Sequence, residues 1–341
     1  MTARRRLGGF TLVEILIAVA IGLFLTAGLI QVYLANKQTY RFNEALARIQ
    51  ENGRFALQRI AADLRMAGFF GCKGDSSATS RVDATSPDFN PSLHDFITTP
   101  ALEGEDSPSG VAGDPDAFTL RGGAGSNLFV LGHGGAGRES DPIIVKGSIT
   151  RVRELIGDIA NRVADIVLVS DCLAGDIFQV TSLAANSSDS SLLGFSGPGA
   201  SRTPGNVAGL ALSKVYGRGA LLYPLRVVRY QVPPGTEGLY RAENDATIGD
   251  ELIEGVENLQ LTYGEDTDGD GSANRYVSAS AVTDWGLVVS ARVGLLLHSM
   301  EGGLTSDPPQ GFDVNGVADS CPSGKICQLL STTVTLRNRA R

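Results

Sequence analysis

The chain has 341 residues, 42 of them glycine, and a formal charge of −8 at neutral pH. That length is enough for one or two sizeable cores. The acidic balance, without a dominant basic patch, argues against nucleic acid as the main partner, and abundant Gly, Ser, Asp and Asn read as a loop-rich extracytoplasmic β domain.

The chain opens on Arg4-Arg5-Arg6, then Leu7-Gly8-Gly9, then an apolar run from Phe10 to about Leu34. Glu14 is the sole formal charge in that run. A bilayer takes about 20 apolar residues, so the run is long enough to span one. The arginines precede it and no such cluster follows at once, which keeps the leader cytoplasmic and exports the rest. A secretory signal carries its small-residue cleavage site after the apolar part. Here Gly8-Gly9 lies before it. A cut there leaves the apolar segment on the mature chain and, by removing three arginines, takes the charge from −8 to −11.

The helix continues past the membrane. No proline interrupts Asn36 to Ala67, and Leu46, Ile49, Gly53, Leu57, Ile60, Leu64 and Ala67 recur at spacings of three and four. That is one apolar stripe. Arg48, Glu51, Arg54, Arg59, Asp63 and Arg65 fall mostly on other faces. Gly68 is the expected stop. Phe10 to Ala67 makes a rod of about 87 Å at 1.5 Å per residue, with Gly22 and Gly28 as points where it can bend or melt.

After Phe69-Phe70-Gly71-Cys72 the pattern turns polar and Gly/Ser/Pro-rich. Residues 73–127 read as long loops with one or two strands. Short β-like runs follow at Leu128–Leu131, Ile143–Lys146, Ile166–Val169 and Ile177–Thr181, and residues 186–206 read as loop. Stronger strands come at Leu221–Val232, Leu239–Arg241, Leu259–Tyr263, Leu287–His298 and Thr332–Leu336, several bounded by turns such as Pro233-Pro234-Gly235. One long helix followed by an antiparallel β-sheet head with long loops is an α+β arrangement.

Four cysteines, Cys72, Cys172, Cys321 and Cys327, in an exported chain suggest disulfides. Three connectivities are open. Proximity favours Cys321–Cys327, leaving Cys72–Cys172. The chain-entropy model assigns the long loop about 4–5 kcal/mol and the short one about 2 kcal/mol. A zinc site is disfavoured, because there is no Cys-x-x-Cys and the three histidines are scattered.

Asp266-Thr267-Asp268-Gly269-Asp270-Gly271 places carboxylates at positions 1, 3 and 5 and glycine at position 6 of an EF-hand-like loop. Asn274 stands at position 9, but position 12 is Val277, so the bidentate Glu is missing. Calcium needs a further ligand, Glu265 or a distant carboxylate. The competing reading is a solvated hairpin turn between Tyr263 and Tyr276. No cofactor is required by any motif. Gly132-His133-Gly134-Gly135-Ala136-Gly137 contains Gly-x-Gly-x-x-Gly, but Pro142 breaks any following helix, so it is no dinucleotide site. Gly194-Phe195-Ser196-Gly197-Pro198 lacks the final glycine of a nucleophile elbow. His94, His133 and His298 belong to no catalytic motif, and the expectation is a protein that is not an enzyme.

Basic residues followed by Gly9-Phe10-Thr11-Leu12-Val13-Glu14 resemble the prepilin peptidase site of type IV pilins and type II secretion pseudopilins. Val256-Glu257-Asn258-Leu259-Gln260-Leu261-Thr262-Tyr263-Gly264, the Asp-Gly turn, Asp284-Trp285, the strand Val288–Leu297 and the end Leu336-Arg337-Asn338-Arg339 are similar to PilW-type minor pilins. The resemblance implies cleavage between Gly9 and Phe10, N-methylation of Phe10, and pairing of Glu14 with the first amine of a neighbouring subunit. It divides the chain into a leader (1–9), a membrane or filament-core half-helix (10–35), an amphipathic half-helix (36–68) and a β-rich head (69–341). It implies a minor pilin that takes part in type IV pilus assembly, in an initiation or tip complex. The partners would be other minor and major pilins, prepilin peptidase, the inner-membrane assembly platform and a tip adhesin. The place would be the bacterial inner membrane, then the pilus fibre. A J-type pseudopilin of type II secretion, or a pilin-anchored adhesin with binding activity in 73–220, are the alternatives.

Overall fold

The computed structural model describes residues 11–71, 78–123, 127–156, 166–195, 204–244 and 248–338. Helix α1 runs unbroken from Leu12 to Met66, 55 residues. Thr11 caps it: its side chain accepts from the Glu14 N–H, and the Glu14 carboxylate accepts from the Thr11 N–H in return. Gly22 and Gly28 do not break it. At Gly22 the Thr26 hydroxyl donates to the carbonyl oxygen at 2.7 Å.

The helix has two unlike halves. Everything from Thr11 to Glu44 is exposed. Burial begins at Ile49 and recurs at Gly53, Ala56, Ile60, Ala61 and Leu64. The stripe is therefore the expected one, widened by Ala56 and Ala61, whose methyl groups let the sheet come close. Gly68 ends the helix at φ 70°, the left-handed region. The last carbonyls are capped from far away, since Asn338 Nδ2 donates to Arg65 O and Ala67 O at 3.3 and 3.0 Å.

The strands that follow are β1 (Ala78–Ser80), β2 (Leu102–Glu105), β3 (Ala117–Gly123), β4 (Leu128–His133), β5 (Ile143–Lys146) and β6 (Ile166–Ser170). Then come β7 (Gly175–Gln179), β8 (Ser182–Ser187), β9 (Ser190–Gly194), β10 (Leu221–Gln231), β11 (Gly238–Glu243) and β12 (Asp250–Glu254). Together these make a branched sheet around β10. The first residues of β10 pair with β6 as far as Pro224, and from Leu225 onward it pairs with β3. Pro224 has no N–H to offer a ladder, and it stands where the strand changes neighbour. All pairings described in this sheet are antiparallel except β1 with β7.

A second sheet has the order β14-β13-β15-β18, with β13 (Val256–Glu265), β14 (Arg275–Val277), β15 (Val288–His298) and β18 (Cys327–Thr335). The hairpin β16 (Gly311–Val314) and β17 (Val317–Ser320) stands apart. The stripe of α1 shares one core with this sheet and with β3 and β10, including Leu259, Leu261, Val293, Leu295 and Leu297. A separate core lies farther out, among Val130, Val145, Val167, Phe178 and Leu222.

Three elements depart from the sequence expectation. Residues 73–127 hold three described strands rather than one or two. Residues 186–206, read as loop, hold the end of β8 and all of β9. Residues Ile149–Ile156 form a short helix, burying Val152 and Ile156.

One buried carboxylate ties the loop after β2 to the second sheet. Asp116 accepts from Ser107 N–H at 3.1 Å and Leu261 N–H at 2.8 Å. Burial pushes its pKa up to about 6, and nearby Asp106 adds to the rise. A raised folded-state value favours the protonated form in the fold. Its stabilising contribution is complete below the unfolded value near 4 and is lost as pH rises through about 6. Asp116→Asn is therefore expected to flatten the stability profile between pH 4 and 7 by about 2 kcal/mol after allowance for solvent screening. Urea unfolding of both proteins across that range measures the difference, and parallel profiles would refute it.

Candidate functional site

Gly9 and Phe10 lie outside the described residues. The first turn of α1 begins directly after them. There Glu14 Oε2 accepts from the Thr11 N–H at 2.9 Å and from the Thr11 hydroxyl at 2.9 Å. The single carboxylate of the apolar run thus points back toward the start of the chain.

Around Glu14 the helix is apolar on every side and covered on none. Leu12, Ile15, Leu16, Leu23, Phe24 and Leu29 are exposed, Phe24 at 81%. Exposed apolar surface on this scale needs lipid or other helices against it. Among the described residues α1 is the one helix long and apolar enough to cross a membrane.

The acidic turn joins β13 to β14, with Gly264 opposite Tyr276. The carboxylates of Asp266, Asp268 and Asp270 each offer an oxygen within 4.8 Å of the others. The turn also uses these groups internally. Asp266 accepts from Gly269 N–H at 2.7 Å and Gly271 N–H at 2.9 Å, and the Gly271 bond leads in holding its pKa below the usual carboxylate value. Asn274 donates to Asp268 at 3.1 Å and accepts from Thr267 N–H at 2.6 Å. Glu265, the suggested fourth ligand, is buried and salt-bridged to Arg275 at 2.6 Å, so it is committed elsewhere.

Cys321 and Cys327 form a disulfide, with 5.7 Å between Cα atoms, at the mouth of β18. Cys72 lies outside the described residues, so the Cys72–Cys172 bridge stays an expectation. Each histidine has a structural setting. His94 Nδ1 accepts from Asn90 N–H. His133 Nε2 accepts from Tyr216 N–H. His298 is buried between Glu237 and Glu257, at 3.6 and 3.4 Å. The Gly132–Gly137 segment leads from β4 into β5, without the helix a dinucleotide site requires. Ser196, Gly197 and Pro198 lie outside the described residues.

Sequence reasoning missed the polar pin between helix and head. Asp63, read as mostly off the stripe, accepts from the Tyr230 hydroxyl at 2.6 Å and Arg241 Nε at 2.9 Å. Arg241 also bonds Glu243, which holds Arg226 at 2.8 Å. Burial works against the Arg241 charge, yet Glu243 and Asp63 raise its pKa above the ordinary value. The available signal was position: Asp63 adjoins Leu64 and follows Ile60 by three residues, at the margin of the stripe.

Residues 4–30 match the family model described as the prokaryotic N-terminal methylation motif, and residues 229–338 match the one described as type IV pilus-assembly protein W. A type IV-like pilin from Thermus thermophilus is similar among solved structures, at 18% identity, covering 34% of this chain and 67% of its own, with a TM-score of 0.21. No curated protein matches. A methylation motif, a half-bare and half-striped helix, and a mostly antiparallel β head are consistent with a pilin-like α+β fold. The two family matches, one at each end, indicate a type IV pilus-assembly minor pilin of the PilW type.

Proposed function

We propose that residues 1–9 are a cytoplasmic leader removed between Gly9 and Phe10, that Phe10 is then N-methylated, and that Glu14 pairs with the Phe10 amine of a neighbouring subunit. The observation that carries this reading is the bare apolar half of α1 with one carboxylate, Glu14, turned toward its start. Opposite charges attract strongly where water is excluded, so such a pair fixes axial register. In the membrane, residues 10–35 span the lipid and the head lies on the periplasmic side. During assembly the apolar half-helix leaves lipid for an equally apolar bundle, an exchange with little hydrophobic cost.

The head from residue 69 onward, with its long loops, suits an initiation or tip subunit better than a repeated shaft subunit. Its partners are other minor and major pilins, prepilin peptidase and the inner-membrane platform. The role is structural, without catalysis. Gly9→Val tests the processing step. The variant is expected to keep its leader and run about 1 kDa heavier than wild type in intact-mass measurement, from nine residues at roughly 110 Da each. Equal masses would overturn the cleavage site. Loss of twitching with secretion intact, on deleting the gene, separates pilus from secretion function.

The acidic turn is part of the same proposal. Asp266, Asp268 and Asp270 are all hard oxygen donors, and calcium is the cation class they suit. Calorimetric titration of the full chain is expected to give saturable heat in the millimolar calcium range, because the loop supplies three carboxylates and lacks the bidentate fourth. A flat titration leaves the three as turn formers only.

A further inference from the structure

β18 is an edge strand. It pairs with β15 along its whole length, Cys327–Thr335, and with no other strand among the described residues. Leu336 N–H donates to Val289 O at one end, and Ile326 O accepts from Ser299 N–H at the other. Antiparallel strands alternate the direction of their backbone groups. The even-numbered residues therefore face β15. Leu329, Ser331, Thr333 and Thr335 direct their N–H and C=O groups to the open side.

Natural sheets blunt such edges with charge, proline, bulges or brevity. Other edges of this head follow the rule. β1 and β14 are three residues long, β2 and β12 carry glutamates, and the β8 ladder contains a register shift. β18 has none of these devices. Its nine residues, Cys-Gln-Leu-Leu-Ser-Thr-Thr-Val-Thr, include no charge and no proline, and its register with β15 is regular.

Beside this edge lies a groove of about 660 Å³, walled by α1 on one side and β18 on the other. Arg54 and Arg65 line it, together with Gln50, Gln58, Leu330 and Thr332, and no carboxylate does. Both arginines are exposed, and neither has an ion pair among the described residues. In an acidic chain this local excess of positive charge is a selective feature. The helix runs alongside the strand: Gly53 lies at Leu330, and the helix end at Arg65 meets Asn338. Eleven residues of helix separate the guanidiniums' backbone positions by about 16 Å, a length matched by about five residues of strand.

We propose that β18 and the Arg54–Arg65 groove form a strand-addition site for an extended, carboxylate-bearing segment of a partner protein. The incoming strand completes the ladder on Leu329, Ser331, Thr333 and Thr335, which supplies affinity without sequence preference. Carboxylates four residues apart lie on one face of that strand, about 13 Å apart, and meet the two guanidiniums, which supplies selectivity. The site is independent of the processing and pairing of the N-terminus.

The probe is a synthetic peptide alternating valine and threonine, with two aspartates four residues apart. Its partner in the test is the full chain in detergent micelles. Saturable binding by fluorescence anisotropy is expected, together with slowed hydrogen exchange at the Leu329, Ser331, Thr333 and Thr335 amides and no change at Leu330 and Thr332. Lysines in place of the aspartates, or the double variant Arg54→Glu and Arg65→Glu, are each expected to weaken binding about tenfold or more. The exposed helix positions keep the fold intact in that variant, and Thr333→Pro removes one outward donor as a second check. No saturable binding, binding indifferent to charge reversal, or unprotected outward amides would overturn the proposal. So would self-association of the chain through β18, which would make a second copy the occupant.

Discussion

Replacing Asp63 with alanine is expected to lower the free energy of unfolding by about 3–4 kcal/mol, the range for stripping a buried charged network of one partner. Asp63 is the polar link between α1 and the first sheet. Its side chain is 17% exposed, that of Arg241 is 16% exposed, and Tyr230 is fully buried. Alanine leaves the Tyr230 hydroxyl, on a fully buried residue, without its acceptor, which alone costs about 1–3 kcal/mol. It also removes one of the two carboxylates that offset the burial of Arg241. The phenol responds in the same sense: burial, then Asp63, raise its pKa above the ordinary value. Asp63→Asn keeps one acceptor oxygen and is expected to lose less. Glu44→Ala breaks only an exposed pair with Arg48 one helical turn away and is expected to change stability by less than about 0.5 kcal/mol. Trp285, the chain's one tryptophan, packs edge-on against Tyr263 at 4.8 Å and reports unfolding by fluorescence. Equal losses for the Asp63→Ala and Glu44→Ala proteins would refute the pin.

Gly122→Val is expected to be as damaging, at about 3 kcal/mol or more. Gly122 sits in β3, where the end of α1 crosses the sheet. A Cβ there would lie 2.7 Å from Met66 O, 3.2 Å from Gly68 N and 3.3 Å from Phe69 N. All three are backbone atoms, so no rotamer change makes room. The helix end must lift, which strains the bond from Gly68 N–H to Arg121 O and the capping by Asn338. Gly302→Ala is the control, since a methyl group there meets nothing within 4 Å. A denaturant midpoint unchanged in the Gly122→Val protein would show that the helix is not held at this crossing.

These two positions mark where the sequence stopped being legible. The long helix and its stripe declared themselves through a period that needs only the order of apolar residues. Strands such as β10, β13 and β15 did the same, because they are long and rich in Leu, Val and Tyr. β8 and β9 escaped because Ser and Asn make up half of the first, Ser188-Asp189 form the intervening turn, and β8 is largely exposed. β3 ends in a glycine pair that reads as a turn, while the structure needs Gly122 for close approach. Arg121, beside it, is buried and bonded to Ser92 O, Pro100 O and Glu103, a tertiary arrangement with no local signature. Asp63 was visible as a residue but not as a contact. Its partners lie 167 and 178 residues away. At the candidate site, Glu14 was legible as an oddity of composition, and the acidic turn as a spacing. The commitment of Glu265 to Arg275 was not, because it depends on which way one side chain leaves the strand.

The capping of α1 by Asn338 has a consequence for biogenesis. The helix is among the first parts of the chain to be made, and its final carbonyls wait for a donor 273 residues later. β18, which closes over the stripe, is likewise the last described strand. The head thus cannot finish until β18 and Asn338 have been made. Contacts of such separation fold slowly, so the stripe stays uncovered until the last strand is made, available to a chaperone or a neighbouring subunit. A nascent chain truncated just before Cys327 would keep its anchor and lose its closure, and quality-control proteases would see an open stripe rather than a finished subunit.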